Sequence, residues 1–162
     1  MCGKQSFESE RVWITLPACL NEGVFMQTRT PIKIRGYHLD LYGHVNNARY
    51  LEFLEEARWD FLEQQVDISK FTGSGLGLAV VNININYRRG AYVGEEVEVV
   101  TQLSKLGNKS AVMHQDVVLK GTDTLVADAD VTFVVTDQKA QKAVPLEGEM
   151  RATLELWQKP SA

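Results

Sequence analysis

Asp40, Gly43, His44, Asn46 and Asn47 fall within eight consecutive positions of a 162-residue chain, directly before a run of regularly spaced apolar residues. Each type has a chemical use there. Asn46 or Asn47 can cap a helix, whose first-turn amides are unpaired donors at the positive end of its dipole. Such amides can hold a developing oxyanion. Asp40, folded back across a loop containing Gly43, can act as base or nucleophile on a carbonyl polarised at that terminus. The plainer use of Asp40 is to close an Asx turn, and spacing alone favours it. His44 reads as a hydrogen-bonding support of the turn rather than the base, because an imidazole can satisfy two partners.

Other chemistries find less support. His38, Asp40 and His44 lack a recognised metal-ligand spacing, and the remaining histidine, His114, is distant in sequence; no metal is expected. No Gly-x-Ser-x-Gly elbow is present. Gly73, Ser74, Gly75 and Gly77 lack the spacing and lysine of a phosphate-binding loop and read as a flexible connection.

The elements that must position this turn follow from periodicity. Alternation over Thr28 to Tyr37 predicts a first strand with Ile32, Ile34 and Gly36 on one face. Tyr50, Leu54, Ala57 and Phe61, widened by Leu51, Phe53, Trp59 and Leu62, predict a helix from about Asn47 to Gln65 mostly surrounded by protein. On it, Arg49 with Glu52 and Glu55 with Arg58 are spaced to form ion pairs. Thr72 to Gly77 reads as a glycine-rich loop. Over Leu78 to Arg89, Val81, Ile83, Ile85 and Tyr87 alternate with Asn82, Asn84, Asn86 and Arg88, predicting a strand whose apolar face packs on the helix; an exposed edge here would invite pairing with a second copy. Glu95 to Leu106 and Ser110 to Leu119 predict two strands joined at Gly107-Asn108, residues that tolerate positive φ. Leu125 to Thr136 predicts another, and Leu146 to Trp157 a short amphipathic helix. The sum is an α+β domain whose antiparallel sheet wraps one long helix. Its strand order does not follow from these observations.

Bulk properties bound the function. A chain of 162 residues is of single-domain size and buries roughly 68–70% of its unfolded surface. With 44% hydrophobic and 23% charged residues it has ordinary globular composition, and no apolar run suits a membrane span. A net charge of -4 argues against non-specific nucleic-acid binding. Cys2 and Cys19 both lie in the first 25 residues, so the body has no disulfide framework, which points to a reducing, cytoplasmic setting. Leu16-Pro17-Ala18-Cys19 has the look of a lipoprotein cleavage box, but the apolar run before it is too short. Residues 1–25 show no sustained period and read as an N-terminal extension to a single domain over 26–162. Met26 is then a candidate natural start, which the intact mass of protein from its host decides.

Asp40-Leu41-Tyr42-Gly43-His44-Val45-Asn46-Asn47, followed by Tyr50-Leu51-Glu52-Phe53-Leu54-Glu55-Glu56-Ala57-Arg58, strongly resembles the hotdog-fold acyl-CoA thioesterases of the hydroxybenzoyl-CoA thioesterase-like family. With Val80 to Arg89 the likeness is greatest to the branch acting on long-chain acyl-CoA, and it runs from about Met26 to the C-terminal region. The resemblance implies a hotdog fold and hydrolysis of fatty acyl-CoA to fatty acid and CoA, with no metal or organic cofactor. It implies that Asp40 activates water or attacks the thioester while the Asn47 backbone amide binds the carbonyl oxygen, with Gly43, His44 and Asn46 supporting the turn. Some relatives carry histidine at the position matching Asn47, so the backbone donor carries over and an assisting histidine does not. The family works as homodimers or homotetramers with sites at subunit boundaries. Lys109 and Ser110 resemble a position near the CoA phosphates, and Arg88 and Arg89 are further candidates. Two other readings share the fold: an acyl-CoA-binding module without catalysis, and a dehydratase or hydratase acting on acyl thioesters.

Overall fold

The computed structural model describes residues 26–158; the expected N-terminal extension lies outside them. Strand β1 (Gln27–Lys33) leads through a 3-10 turn (Gly36–His38) and the Asp40 loop into helix α1 (Asn47–Gln65). Then come α2 (Ile68–Gly73), β2 (Leu76–Tyr87), β3 (Glu96–Leu106), β4 (Ser110–Leu119), β5 (Leu125–Asp137), the short β6 (Lys142–Ala143) and α3 (Gly148–Trp157). The strands form one antiparallel sheet in the order β1-β3-β4-β5-β2, with β6 pairing onto β5. The sheet curls around α1, as expected of the hotdog fold. No described helix is long and apolar enough to cross a membrane.

The core divides along α1. Tyr50, Phe53, Leu54 and Ala57 from its first half meet Ile34, Val97 and Val117 of the sheet side. Phe61 and Leu62 from its second half meet Leu103, Met113, Phe133 and Trp157, with Phe61 edge-on to Trp157 at 5.6 Å between ring centroids. Because a helical stripe recurs every three or four residues and a strand face every two, both clusters are built from the periods visible in the sequence. Burying each of these large side chains contributes about 1.5–3 kcal/mol.

Several details differ from expectation. The first strand ends at Lys33, and Gly36 to His38 turn in a 3-10 segment instead of extending it. Ile68 to Gly73 is helical, started by the Asp67 side chain, which accepts from the Lys70 amide at 3.1 Å; the loop expected over Thr72 to Gly77 is thus partly helix and partly β2. In β2 the register shifts between Val80 and Asn82. Val81 is the extra residue of that bulge and is 58% exposed, so Val80 and Leu78 take over the side that Ile83, Ile85 and Tyr87 occupy further on. Neither Gly107 nor Asn108 has positive φ; what glycine provides at 107 is room, since a Cβ would crowd the Ser110 carbonyl oxygen at 3.0 Å. Nor is α1 enclosed all round: it packs on β1 and β3, while Leu51 and Trp59 remain 40% and 47% exposed. Arg49 and Glu52 do pair, at 2.7 Å. Arg58 does not pair with Glu55 but bonds to Gln115 on β4.

Candidate active site

The Asp40 loop is fixed from both ends by backbone bonds. The Asp40 amide donates to the His44 carbonyl at 2.9 Å, the Gly43 amide to the Asp40 carbonyl at 3.1 Å, and the Val45 amide to the Ala91 carbonyl at 2.8 Å. Gly43 sits at φ 79°, a left-handed conformation that glycine adopts without a Cβ clash. Asp40 Oδ1 accepts from the Tyr42 amide at 2.8 Å, which is the Asx turn. Oδ2 lies 3.4 Å from His44 Nδ1, and the Asp40 side chain keeps 22% exposure. One Asp40 oxygen thus closes the turn, and the other lies beside His44.

Asn46 is the cap of α1, its Oδ1 accepting from the Ala48 amide at 3.0 Å. Its own amide donates to the His38 carbonyl at 2.9 Å, anchoring the helix start to the preceding turn. Asn47 is the first helical residue, and its N–H has no acceptor among the described residues, as helix geometry dictates for the first turn. Asp40 and Asn47 line one open cleft of about 650 Å³, together with His44, Tyr50, Tyr87 and Tyr92 and the arginines Arg88 and Arg89. The residue with the partly exposed carboxylate and the residue with the unpaired helix-start amide thus line one space. That pairing can polarise a carbonyl and deliver a nucleophile to it.

The cleft walls are electrostatically defined. Arg89 forms a two-point pair with Glu95 at 3.0 and 2.7 Å and lies 5.7 Å from the centre of the Tyr92 ring. The Glu95 contact pushes the arginine further up and holds the Glu95 carboxyl below its ordinary value. Arg88 uses Nε on Asp128 at 2.6 Å and is 53% exposed at its side chain, so its terminal nitrogens remain available for an anion. Burial raises the Tyr50 phenol and keeps it neutral. His38 is drawn inward, its Nδ1 accepting from the Arg35 amide at 3.0 Å, and burial lowers its pKa. It does not join Asp40 and His44.

Lys109 and Ser110 are not brought to this cleft. They sit in the β3–β4 hairpin beside α3, where Arg151 Nη1 bonds the Gly107 carbonyl and the Leu146 amide bonds the Asn108 carbonyl. That is the far end of the sheet, so within one chain they cannot meet a ligand held by Asp40. Sequence reasoning missed Tyr87, whose hydroxyl donates to the Asn47 carbonyl at 3.0 Å while its ring stacks edge-on against Tyr50 at 5.5 Å. The available signal was a tyrosine on an apolar strand face, since a phenol in such a place needs a polar partner.

Comparison with known proteins agrees with this architecture. A model of the thioesterase-like superfamily matches residues 34–154. The long-chain acyl-CoA thioesterase FadM of Escherichia coli K12 is 53% identical over 127 residues, covering 78% of this chain and 96% of that protein. The crystal structure of YbaW, a probable thioesterase from Escherichia coli, superposes with a TM-score of 0.75 at 52% identity, covering 80% of this chain and 97% of that one. A DHNA-CoA thioesterase from Staphylococcus aureus shares the fold, with a TM-score of 0.71 at 19% identity over 81% of this chain and 88% of that one.

Proposed function

Because the chain belongs to the thioesterase-like superfamily and is an acyl-CoA thioesterase, we propose that its substrates are long-chain fatty acyl-CoAs and that Asp40 and the Asn47 amide carry out the hydrolysis. The observation behind this reading is the shared cleft of a partly exposed carboxylate and an unpaired first-turn amide. The thioester carbonyl oxygen accepts from the Asn47 N–H, and the helix dipole favours the charge that develops on it. Asp40 Oδ2 takes a proton from an attacking water, or attacks the carbonyl carbon itself. Gly43, His44 and Asn46 hold the two groups in register. Arg88 is the better placed of the two arginines for a CoA phosphate, because Arg89 already spends both terminal nitrogens on Glu95. Thiol release from acyl-CoAs of increasing chain length tests the reading; failure to release CoA from any of them refutes it.

Tyr87 is a positioning residue in this scheme. By bonding the Asn47 carbonyl it ties the first peptide of α1 to the end of β2. Tyr87→Phe is expected to lower kcat by about two- to tenfold, the weight of one ordinary hydrogen bond, with little change in KM. An unaltered kcat in steady-state thiol release contradicts it.

The protein acts as a homodimer or a homotetramer on this reading. β2 is an edge of the sheet, Val81 on it is exposed, and Leu51 and Trp59 of α1 also leave apolar surface exposed, a combination that a second copy can cover. Val81→Lys places a charge on that edge and is expected to shift the sedimenting species toward monomer. Sedimentation unchanged by the substitution removes β2 from the interface.

A further inference from the structure

Toward the C-terminal end of α1 lies a second cavity, of about 180 Å³, walled by Trp59, Leu62, Leu78, Met113 and Phe133. Two charged side chains, Glu55 and Arg58, line this space, whose other walls are apolar apart from Thr72, its hydroxyl donating to the Ile68 carbonyl. Arg58 is half-buried, and its Nη1 donates to Gln115 Oε1 at 3.0 Å. Gln115 is fully buried and is locked by donating its Nε2 to the Leu54 carbonyl and to Thr101 Oγ1, both at 3.0 Å. The guanidinium is therefore held from behind, while its other donors are free of any ion pair among the described residues. Burial lowers the Arg58 pKa and Glu55, one turn earlier, raises it. A half-buried cation held this firmly without a carboxylate in contact is costly unless something else uses its donors.

The cavity and the Asp40 cleft have no lining residue in common, but the same two elements wall both. Asn47 and Tyr87 stand at the cleft end of α1 and β2; Arg58, Leu78 and Val80 stand at the cavity end. Asn47, Leu51, Glu55, Arg58 and Leu62 recur at three- or four-residue spacing and share one helical face. At about 1.5 Å rise per residue, Arg58 lies about 16 Å along the axis from Asn47, a reach that a long acyl chain spans and a short one does not. An unsubstituted chain arriving there desolvates Glu55 and Arg58 and returns nothing. A carboxylate suits Arg58 but meets the like charge of Glu55. A hydroxyl satisfies both, accepting from the guanidinium and donating to the carboxylate.

We propose that Arg58 and Glu55 are specificity-determining residues that select acyl chains carrying a hydroxyl group about 16 Å from the thioester, with Gln115 positioning the guanidinium. The proposal rests on the assignment of the thioester to the Asp40 cleft. It is tested by thiol release from ω-hydroxyacyl-CoAs, from octanoyl to hexadecanoyl length, against unsubstituted acyl-CoAs of the same lengths. The ratio of kcat/KM for hydroxylated over plain substrate is expected to peak at one chain length. Arg58→Met is expected to lower that peak ratio by about ten- to hundredfold. Glu55→Ala, at an exposed position that folding does not depend on, is expected to lower it by about threefold or more. A ratio unmoved by either substitution overturns the proposal, as does a parallel loss on both substrate series, which makes Arg58 only a tie between helix and sheet. A wild-type protein inactive on every acyl-CoA removes the thioester assignment itself, a result distinct from a flat ratio in an active enzyme.

Discussion

Asp40→Asn is expected to lower kcat for acyl-CoA hydrolysis by about 10²–10⁴, the range for loss of a positioned acid or base. The substitution keeps the size of the side chain and an oxygen able to accept from the Tyr42 amide, the contact that closes the loop at 2.8 Å. It removes the second anionic oxygen, the one left beside His44 and the cleft. Because the loop survives, KM and thermal stability should change little, and the loss falls on the chemical step. A folded Asp40→Asn protein turning over near the wild-type rate eliminates Asp40 as base or nucleophile.

Asn47→Pro is expected to lower kcat by about 10²–10³, comparable to removing one oxyanion donor elsewhere. Proline lacks the N–H and little else that this position requires. The first helical residue gives no amide to the helix ladder, and proline is well tolerated there. The preceding residue, Asn46, already has φ -59° and ψ 137°, the extended conformation that proline imposes on its neighbour. The comparison is Asn47→Ala, which deletes the side chain and retains the amide, and should cost far less. If alanine and proline are equally damaging in steady-state assays on folded protein, the side chain and not the backbone is the working group.

What could be read from the sequence was what local period and capping determine. The limits of α1 follow from the Asn46 cap and the apolar stripe that runs to Leu62, one turn short of the last helical residue Gln65, and β4 keeps its expected limits because alternation and the flanking turns agree. Strand order was hidden because β1 pairs with β3 and β2 with β5, contacts between segments far apart in the chain that no window reports. The Val80–Asn82 bulge falls at the Val80-Val81 doublet, where the large apolar residues change phase, so the alternation read from Val81 onward places Val81 on the wrong side. The helix at Ile68–Gly73 is too short to show a period. In the cleft, Asp40 and Asn47 line one space because only six residues, the last of them the cap, separate them in the chain. Tyr87 and Gln115 act through partners 40 and 61 residues away, so their roles required the fold. Lys109 had no comparable local constraint, and the hairpin carries it to the other end of the sheet.

The apolar cavity beside Arg58 also bears on stability, as unfinished core. Among the described residues, Leu62, Met113 and Phe133 of its walls belong to the second of the two packing clusters along α1, and on the cavity side they forgo dispersion contacts that a filled interior would make. An acyl chain lying there in the proposed manner supplies those missing contacts. Occupancy then favours the native state by mass action, so folding and ligand binding become linked equilibria. The same void that lowers the stability of the empty protein is what gives a chain somewhere to bind.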